Sequence, residues 1–231
     1  MGPVAPPSFP DRGWDPFILA GTIATDFARA ADWTKLDPGA PPSDITSDQT
    51  GLDAHQTWFG GLSSSAKAEF VAELDAQRFG TEAYFSKLLA CSREFRPVTH
   101  LFVILGIQLG GMVSAQFKIQ YKRPRPGEAL PNLRPLLPTP RHPAYPSGHA
   151  MQSYLIAAMI GGAVPKLVPG LNRLAHRMAI NRERAGVHYP SDTVASLGTV
   201  PKILAEAAKM DGTKTQWNFA DLQAQLKAEW P

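Results

Sequence analysis

Three short segments of the chain put charged and hydrogen-bonding side chains where chemistry on an oxyanion would need them. In the first, Lys118 and Lys122 are followed at once by Arg123-Pro124-Arg125-Pro126. Cations near a helix end ordinarily complement the helix dipole. Two arginines on a stiff, proline-flanked backbone also make a preset guanidinium fork for a tetrahedral anion. The second segment, Tyr145-Pro146-Ser147-Gly148-His149-Ala150, precedes an apolar helical run. Ser147 is a natural N-cap, Gly148 lets a ligand approach the backbone closely, and the open N–H groups of a helix start attract anions. His149 in the first turn is placed to give a proton to a leaving oxygen. The third segment runs from Arg182 to Asp192. Arg182 follows Met178 by one turn, on the face that buries Leu171, Leu174, Ala175, Met178 and Ala179, and a buried arginine needs an anionic partner. His188 and Asp192 are four apart where Pro190 begins a helix, so the carboxylate can hold one ring nitrogen and leave the other as a nucleophile or ligand. A His-x-x-x-Asp pair taken alone is more often structural.

Separate capping and surface-charge explanations do not supply three cations, a Ser-Gly helix mouth, an acid histidine and an oriented histidine together. The order Lys118-x6-Arg125-Pro126, then Pro146-Ser147-Gly148-His149, then Arg182-x5-His188-x3-Asp192 resembles the three-part signature of the type 2 phosphatidic acid phosphatase superfamily. That superfamily joins class A bacterial acid phosphatases, lipid phosphatases and vanadium-dependent haloperoxidases. The resemblance implies an α-helical bundle with the site at one end. It implies that His188 attacks phosphorus to give a phosphohistidine, that Asp192 orients it, and that His149 protonates the leaving alkoxide and later activates water. Lys118, Arg125, Arg182, Ser147 and the Gly148 N–H would hold the equatorial oxygens, with Arg123 and His142 beside or behind them. Such a cradle of fixed donors stabilises a trigonal-bipyramidal transition state, and the phosphatase reading needs no cofactor. Asn181 stands where the family usually has Ser, a change expected to trim one supporting hydrogen bond.

The same cradle would bind vanadate, with His188 as its ligand, in a haloperoxidase that oxidises bromide or chloride with hydrogen peroxide. His142-Pro143-Ala144-Tyr145-Pro146-Ser147-Gly148-His149-Ala150 is similar to the corresponding stretch of vanadium bromoperoxidases, which also carry a His at the position of His142. This chain is far shorter than those enzymes, which favours the phosphatase. A non-catalytic phosphate- or headgroup-binding module would leave His149, His188 and Asp192 unexplained. Neither HExxH nor a cysteine pair nor a carboxylate cluster around the histidines is present, so no metal is expected.

Helical elements must position these residues. Helices are expected at about 15–33, with Asp15 as cap and Pro16 at the first position, at 64–95 and at 98–121. Others are expected at 147–164, 171–184 and 190–209, with a short one near 216–229. Residues 34–63, rich in Pro and Gly, read as a lid, an interface arm or a surface wrap tacked down by Trp58 and Phe59. The stretch KRPRPGEALPNLRPLLPTPRHPAYP must be a long loop, because prolines recur every few residues. No alternating strand pair is visible, so the fold class is all-α. The expected layout is a 1–63 helix-and-loop arm packed on a 64–231 catalytic bundle, one domain overall.

The chain has 231 residues, 44% of them hydrophobic and 19% charged, and a net charge of +3. This suits a folded domain with a real core and is too mildly basic for a nucleic-acid partner. A small anionic phosphorylated substrate fits it. Cys91 is the single cysteine, which excludes an internal disulfide framework. The opening MGPVAPPSFPDRGWDPF has no secretory pattern, and Pro6 stands where a myristoylation signal at Gly2 would need Ser or Thr. Residues 101–117 carry no charge, but they are short for a span, rich in Gly, and end in a basic segment. A cytoplasmic location without a membrane is therefore expected. The arm with Trp14, Trp33 and Trp58 would serve as a homodimer clasp.

Overall fold

Asp15 opens the first helix as its sequence requires. Its carboxylate accepts the N–H groups of Phe17 at 2.9 Å and Ile18 at 3.3 Å, with Pro16 at the first helical position. The computed structural model describes residues 14–213 and 215–231, so the readings of Gly2 and Pro6 fall outside the described residues. In chain order the helices are α1 (Pro16–Ala30), α2 (Trp33–Leu36), α3 (Thr46–Gly60), α4 (Ser64–Phe79), α5 (Thr81–Leu89), α6 (Pro97–Tyr121), α7 (Pro126–Ala129), α8 (Gly148–Ala163), α9 (Val168–Arg184), α10 (Pro190–Ala207) and α11 (Phe219–Ala228). Among the described residues the only β pairing is a single bridge between Asp211 and Asn218. The all-α expectation holds.

Two expectations about elements are corrected. Residues 34–63 contain helices α2 and α3 rather than an unpatterned wrap. The expected helix over 64–95 is two helices, because the chain breaks at Gly80, where a Cβ would lie 2.5 Å from the Ala76 carbonyl oxygen. Pro97 opens α6 at its first helical position.

Helices α6 and α8 form the centre of the bundle, with α1, α5 and α11 against α6 and α9, α10 and α11 against α8. Phe102, Ile104, Leu105, Met151, Leu155, Ile156 and Ile160 fill the seam. The two axes come close enough that a Cβ on Gly110 would sit 2.8 Å from the Gln152 Cα and 2.9 Å from its backbone nitrogen. Trp33 and Trp58 are both engaged within the chain. The Trp33 indole donates to the Ala28 carbonyl at 3.1 Å, and Trp58 meets Phe70 edge-on at 5.0 Å.

This packing gathers the C-terminal ends of α6 and α9 and the N-terminal ends of α8 and α10 at one pole. Lys118 and Arg182 come from the former ends, and Ser147, Gly148, His149 and Asp192 from the latter. Because the α6–α8 contact is backbone to backbone, Gly110→Ala should destabilise the fold by about 1–3 kcal/mol, even though alanine is the better helix former by roughly 1 kcal/mol. Thermal unfolding checks this. A variant as stable as the parent would mean that the helices are further apart than described.

Candidate active site

His188 is reached through a tight turn at the end of α9. Gly186 has φ +69°, and a Cβ there would approach the Pro135 Cα to 3.3 Å, so a larger residue would be strained and crowded. The turn delivers His188 into the protein interior, where Nδ1 donates to Asp192 Oδ2 at 2.9 Å. The same carboxylate oxygen accepts the Tyr189 N–H at 3.0 Å. Arg125 has no acceptor atom, so its Nη1, 2.9 Å from His188 Nε2, must be donating to that nitrogen. The ring is therefore neutral, with its proton on Nδ1 and its lone pair on Nε2. Burial drives its pKa well below the ordinary value, helped by the charges of Arg125 and Lys118.

Asp192 is itself held from behind. Arg123 Nη1 donates to Asp192 Oδ1 and to Ser191 Oγ, both at 2.7 Å, while Arg123 Nη2 donates to Asp48 at 2.7 Å. The guanidinium stacks on the Tyr189 ring at 3.8 Å. Burial raises the Asp192 carboxyl, opposed by the charge of Arg123 and the Tyr189 N–H.

In front of His188 lies a cavity of about 70 Å³ lined by Arg78, Arg125, His142, Gly148, His149 and Arg182, with Leu137, Pro138, Pro140 and Val187 completing the wall. Six residues expected at the site thus share one wall: Arg125, His142, Gly148, His149, Arg182 and His188. Lys118 stands behind it, with its ammonium donating to the carbonyls of Pro143 at 3.0 Å, Ala144 at 2.7 Å and Pro146 at 2.5 Å. All three of its donors are thereby taken. Ser147 caps α8 beneath the cavity, with its hydroxyl accepting the Ala150 N–H at 3.5 Å.

The two cavity guanidiniums differ. Arg125 donates to the His142 carbonyl, the Val187 carbonyl, His188 Nε2 and His142 Nδ1, at 2.6 to 3.1 Å. Arg182 is 2% exposed, yet it makes a single 3.0 Å hydrogen bond to the Leu74 carbonyl, and its Nε has no partner. Burial lowers both pKa values to about 10, so both are charged at neutral pH. His149 is pushed down to about 4 by burial and then by the charge of Arg182. Its Nε2, 3.2 Å from the Arg78 carbonyl, carries the proton of the neutral ring.

Sequence reasoning missed Arg78, Asp48 and Ser191. Asp48 and Arg78 lie outside the three segments, and neither has a local pattern that would mark it. Asn181, the departure from the family pattern, donates to Gln77 at 3.0 Å and Glu73 at 3.1 Å and so ties α9 to α4. Among the described residues no group of three or more His, Cys, Asp or Glu side chains could hold a metal ion.

Residues 98–200 match the family model of the PAP2 superfamily. No curated protein matches the chain. Among solved structures, it is similar to a transmembrane PAP2 type phosphatidylglycerolphosphate phosphatase from Bacillus subtilis. That similarity has 15% identity over 86% of this chain and 95% of the other, with a TM-score of 0.38. The expectations of a cytoplasmic location and of no membrane are corrected here. The segment Pro97–Ala129, which contains α6, is long and apolar enough to cross a membrane by length and composition.

A buried cation with unmet donors lowers the stability of the empty fold. Added sulfate should therefore raise the melting temperature of the parent protein, and Arg182→Met should leave the melting temperature without sulfate unchanged or higher while abolishing that rise. A lower melting temperature with sulfate stabilisation intact would contradict the assignment of Arg182 to the anion.

Proposed function

We propose, for a chain whose residues 98–200 belong to the PAP2 superfamily, that it is a metal-independent phosphatase hydrolysing phosphate monoesters through a phosphohistidine on His188. The observation that carries this reading is the pairing of Arg182, buried with an orphan Nε, with a neutral His188 whose Nε2 lone pair faces the same cavity side as Arg125. An anion is what the first lacks, and an electrophile on that anion is what the second can attack.

The steps follow from the contacts. The phosphate group enters between Arg182, Arg125 and the Gly148 N–H. The Arg125 Nη1 donor passes from His188 Nε2 to a phosphate oxygen, which frees the lone pair. Nε2 then bonds to phosphorus as the ester P–O bond breaks. His149, which takes up a proton from solvent to become imidazolium before or on binding of the phosphate, delivers that proton to the departing oxygen and returns to the neutral ring. Asp192 stabilises the positive charge gained by the ring. Water attacks the phosphohistidine, its proton returns to His149, and inorganic phosphate leaves with His188 restored. Lys118 contributes through the loop it holds and through its charge. The cavity, about 70 Å³, is on the scale of two or so water volumes at ~30 Å³ each. It accommodates a phosphate head and leaves the rest of the ester outside.

One observation favours a second reading. The His142 ring lines the cavity and accepts from Arg125 Nη2 at 3.1 Å, so its other nitrogen carries a proton. Arg182, Arg125 and the His188 lone pair fit vanadate as they fit phosphate, and bound vanadate would supply halide oxidation by hydrogen peroxide. On the phosphatase reading, vanadate is an inhibitor.

The test is hydrolysis of a chromogenic phosphate monoester with chelator present. The parent protein should turn over and yield an acid-labile phosphoryl adduct, and His188→Ala should show neither. Because the His149 pKa is lowered to about 4 in the free protein, the protonated acid is depleted as pH rises. The value of kcat/KM should then fall from acidic toward neutral pH, and His149→Ala should lose that slope. Activity in His188→Ala, or activity restored only by a divalent metal, would overturn the proposal. So would rapid bromide oxidation without ester hydrolysis.

A further inference from the structure

Asp48 lies on α3, outside the segment that carries the family match, and is 5% exposed. Its Oδ1 accepts the Ser191 N–H at 2.8 Å, and its Oδ2 accepts the Ser191 hydroxyl at 2.6 Å and Arg123 Nη2 at 2.7 Å. Ser191 Oγ in turn accepts from Arg123 Nη1 at 2.7 Å. Asp48, Ser191 and Arg123 thus close a hydrogen-bonded ring in which Asp48 Oδ2 accepts from both of the other side chains. From that ring Arg123 reaches Asp192, and Asp192 reaches His188 Nδ1. Helix α3 is seated closely enough to make this possible because Gly51 lies against Pro190, whose Cγ a Cβ would approach to 2.9 Å.

We propose that Asp48 is a positioning residue for the nucleophile, fixing the plane of the Asp192 carboxylate through Arg123 and supplying a second negative charge behind the imidazole. This rests on the role given to His188 above. Two carboxylates sharing one guanidinium leave a net charge of about −1 behind a neutral ring. That charge favours the positive charge the ring gains when Nε2 bonds to phosphorus, and it disfavours, more weakly, the anion in front. Without Asp48 the guanidinium would be free to tilt, and the Asp192 carboxylate could rotate away from Nδ1.

A residue that merely fastened α3 to α10 would affect stability alone, whereas a positioning residue separates turnover from anion binding. An amide has one acceptor oxygen, so Asp48→Asn must turn an N–H toward either Ser191 or Arg123. The variant should lose about tenfold or more in kcat, with KM not raised and with sulfate bound as tightly as by the parent or more tightly. Ser191→Ala keeps the main-chain bond to Asp48 and removes the hydroxyl link. It should shift kcat in the same direction by a smaller factor, and it serves if Asp48→Asn does not fold. A kcat within about twofold of the parent, or a loss of kcat accompanied by weaker sulfate binding, would overturn the proposal. Should the parent hydrolyse no phosphate ester, the functional reading fails and the ¹⁵N shifts of His188 decide the matter. A single Nδ1–H tautomer in the parent that becomes a mixture in Asp48→Asn supports positioning, and the same single tautomer in both overturns it.

Discussion

Arg182 keeps its charge at 2% exposure with one carbonyl as its hydrogen-bonding partner, the Glu73 carboxylate acting on it only through its charge. Burying an ion without a directly bonded counterion costs several kcal/mol even after the surroundings relax. A fold tolerates this only if its remaining parts hold the arginine in place. Here that support comes from the apolar face of α9, which buries Leu171, Ala175, Met178 and Ala179, and from α4 against it through Asn181, Glu73 and Gln77. The unmet guanidinium also sets the state of its neighbours, since its charge helps to keep His149 neutral in the empty protein. On the proposed reading, an anion bound against Arg182 would offset that charge and relieve its effect on the histidine in the same event.

Arg125 stands in a different relation to the site. Four of its donors are engaged, one of them on the lone pair of His188. On the proposed reading, Nε2 of His188 is thus covered in the empty protein by the same group that a phosphate's oxygens would recruit. The bond from Arg125 to a neutral imidazole has charge on the donor alone, whereas a bond to a phosphate dianion pairs opposite charges, so exchanging the imidazole for a phosphate oxygen is favourable. Arg123 plays a third part, with its charge consumed by Asp48 and Asp192 behind the ring. Three arginines close in space thus have three roles that follow from what each one faces.

Much of this was legible in residue types and spacing. The Asp15–Pro16 start, the Ser147 cap and the four-residue His188–Asp192 step are local devices, and local devices are written in short stretches of sequence. Asp48 was not legible, because its partner lies far along the chain, Ser191 being 143 residues away, and Arg78 was not, because its side chain pairs locally with Asp75 as any surface helix arginine does. Helix α3 escaped notice for a related reason. It contains Gly51 and Gly60, it has no side-chain cap hydrogen bond, and it buries little besides Asp48 and Leu52, so it offers no apolar stripe and forms through tertiary contact. The break at Gly80 was hidden by the continuous periodicity on either side of it. Lys118 was read as a ligand for the anion, but its place in the site depends on three carbonyls of a proline-rich loop whose path no pattern predicts.

A crystal structure of the protein soaked in sulfate, with the parent protein alone as reference, tests the central claim most directly. The account predicts one sulfate in the cavity with an oxygen about 3 Å from Arg182 Nε, and Arg125 Nη1 turned from His188 Nε2 onto the anion. A sulfate bound elsewhere, or one in the cavity with the Arg125–His188 contact unchanged and Arg182 Nε still unpartnered, would contradict it.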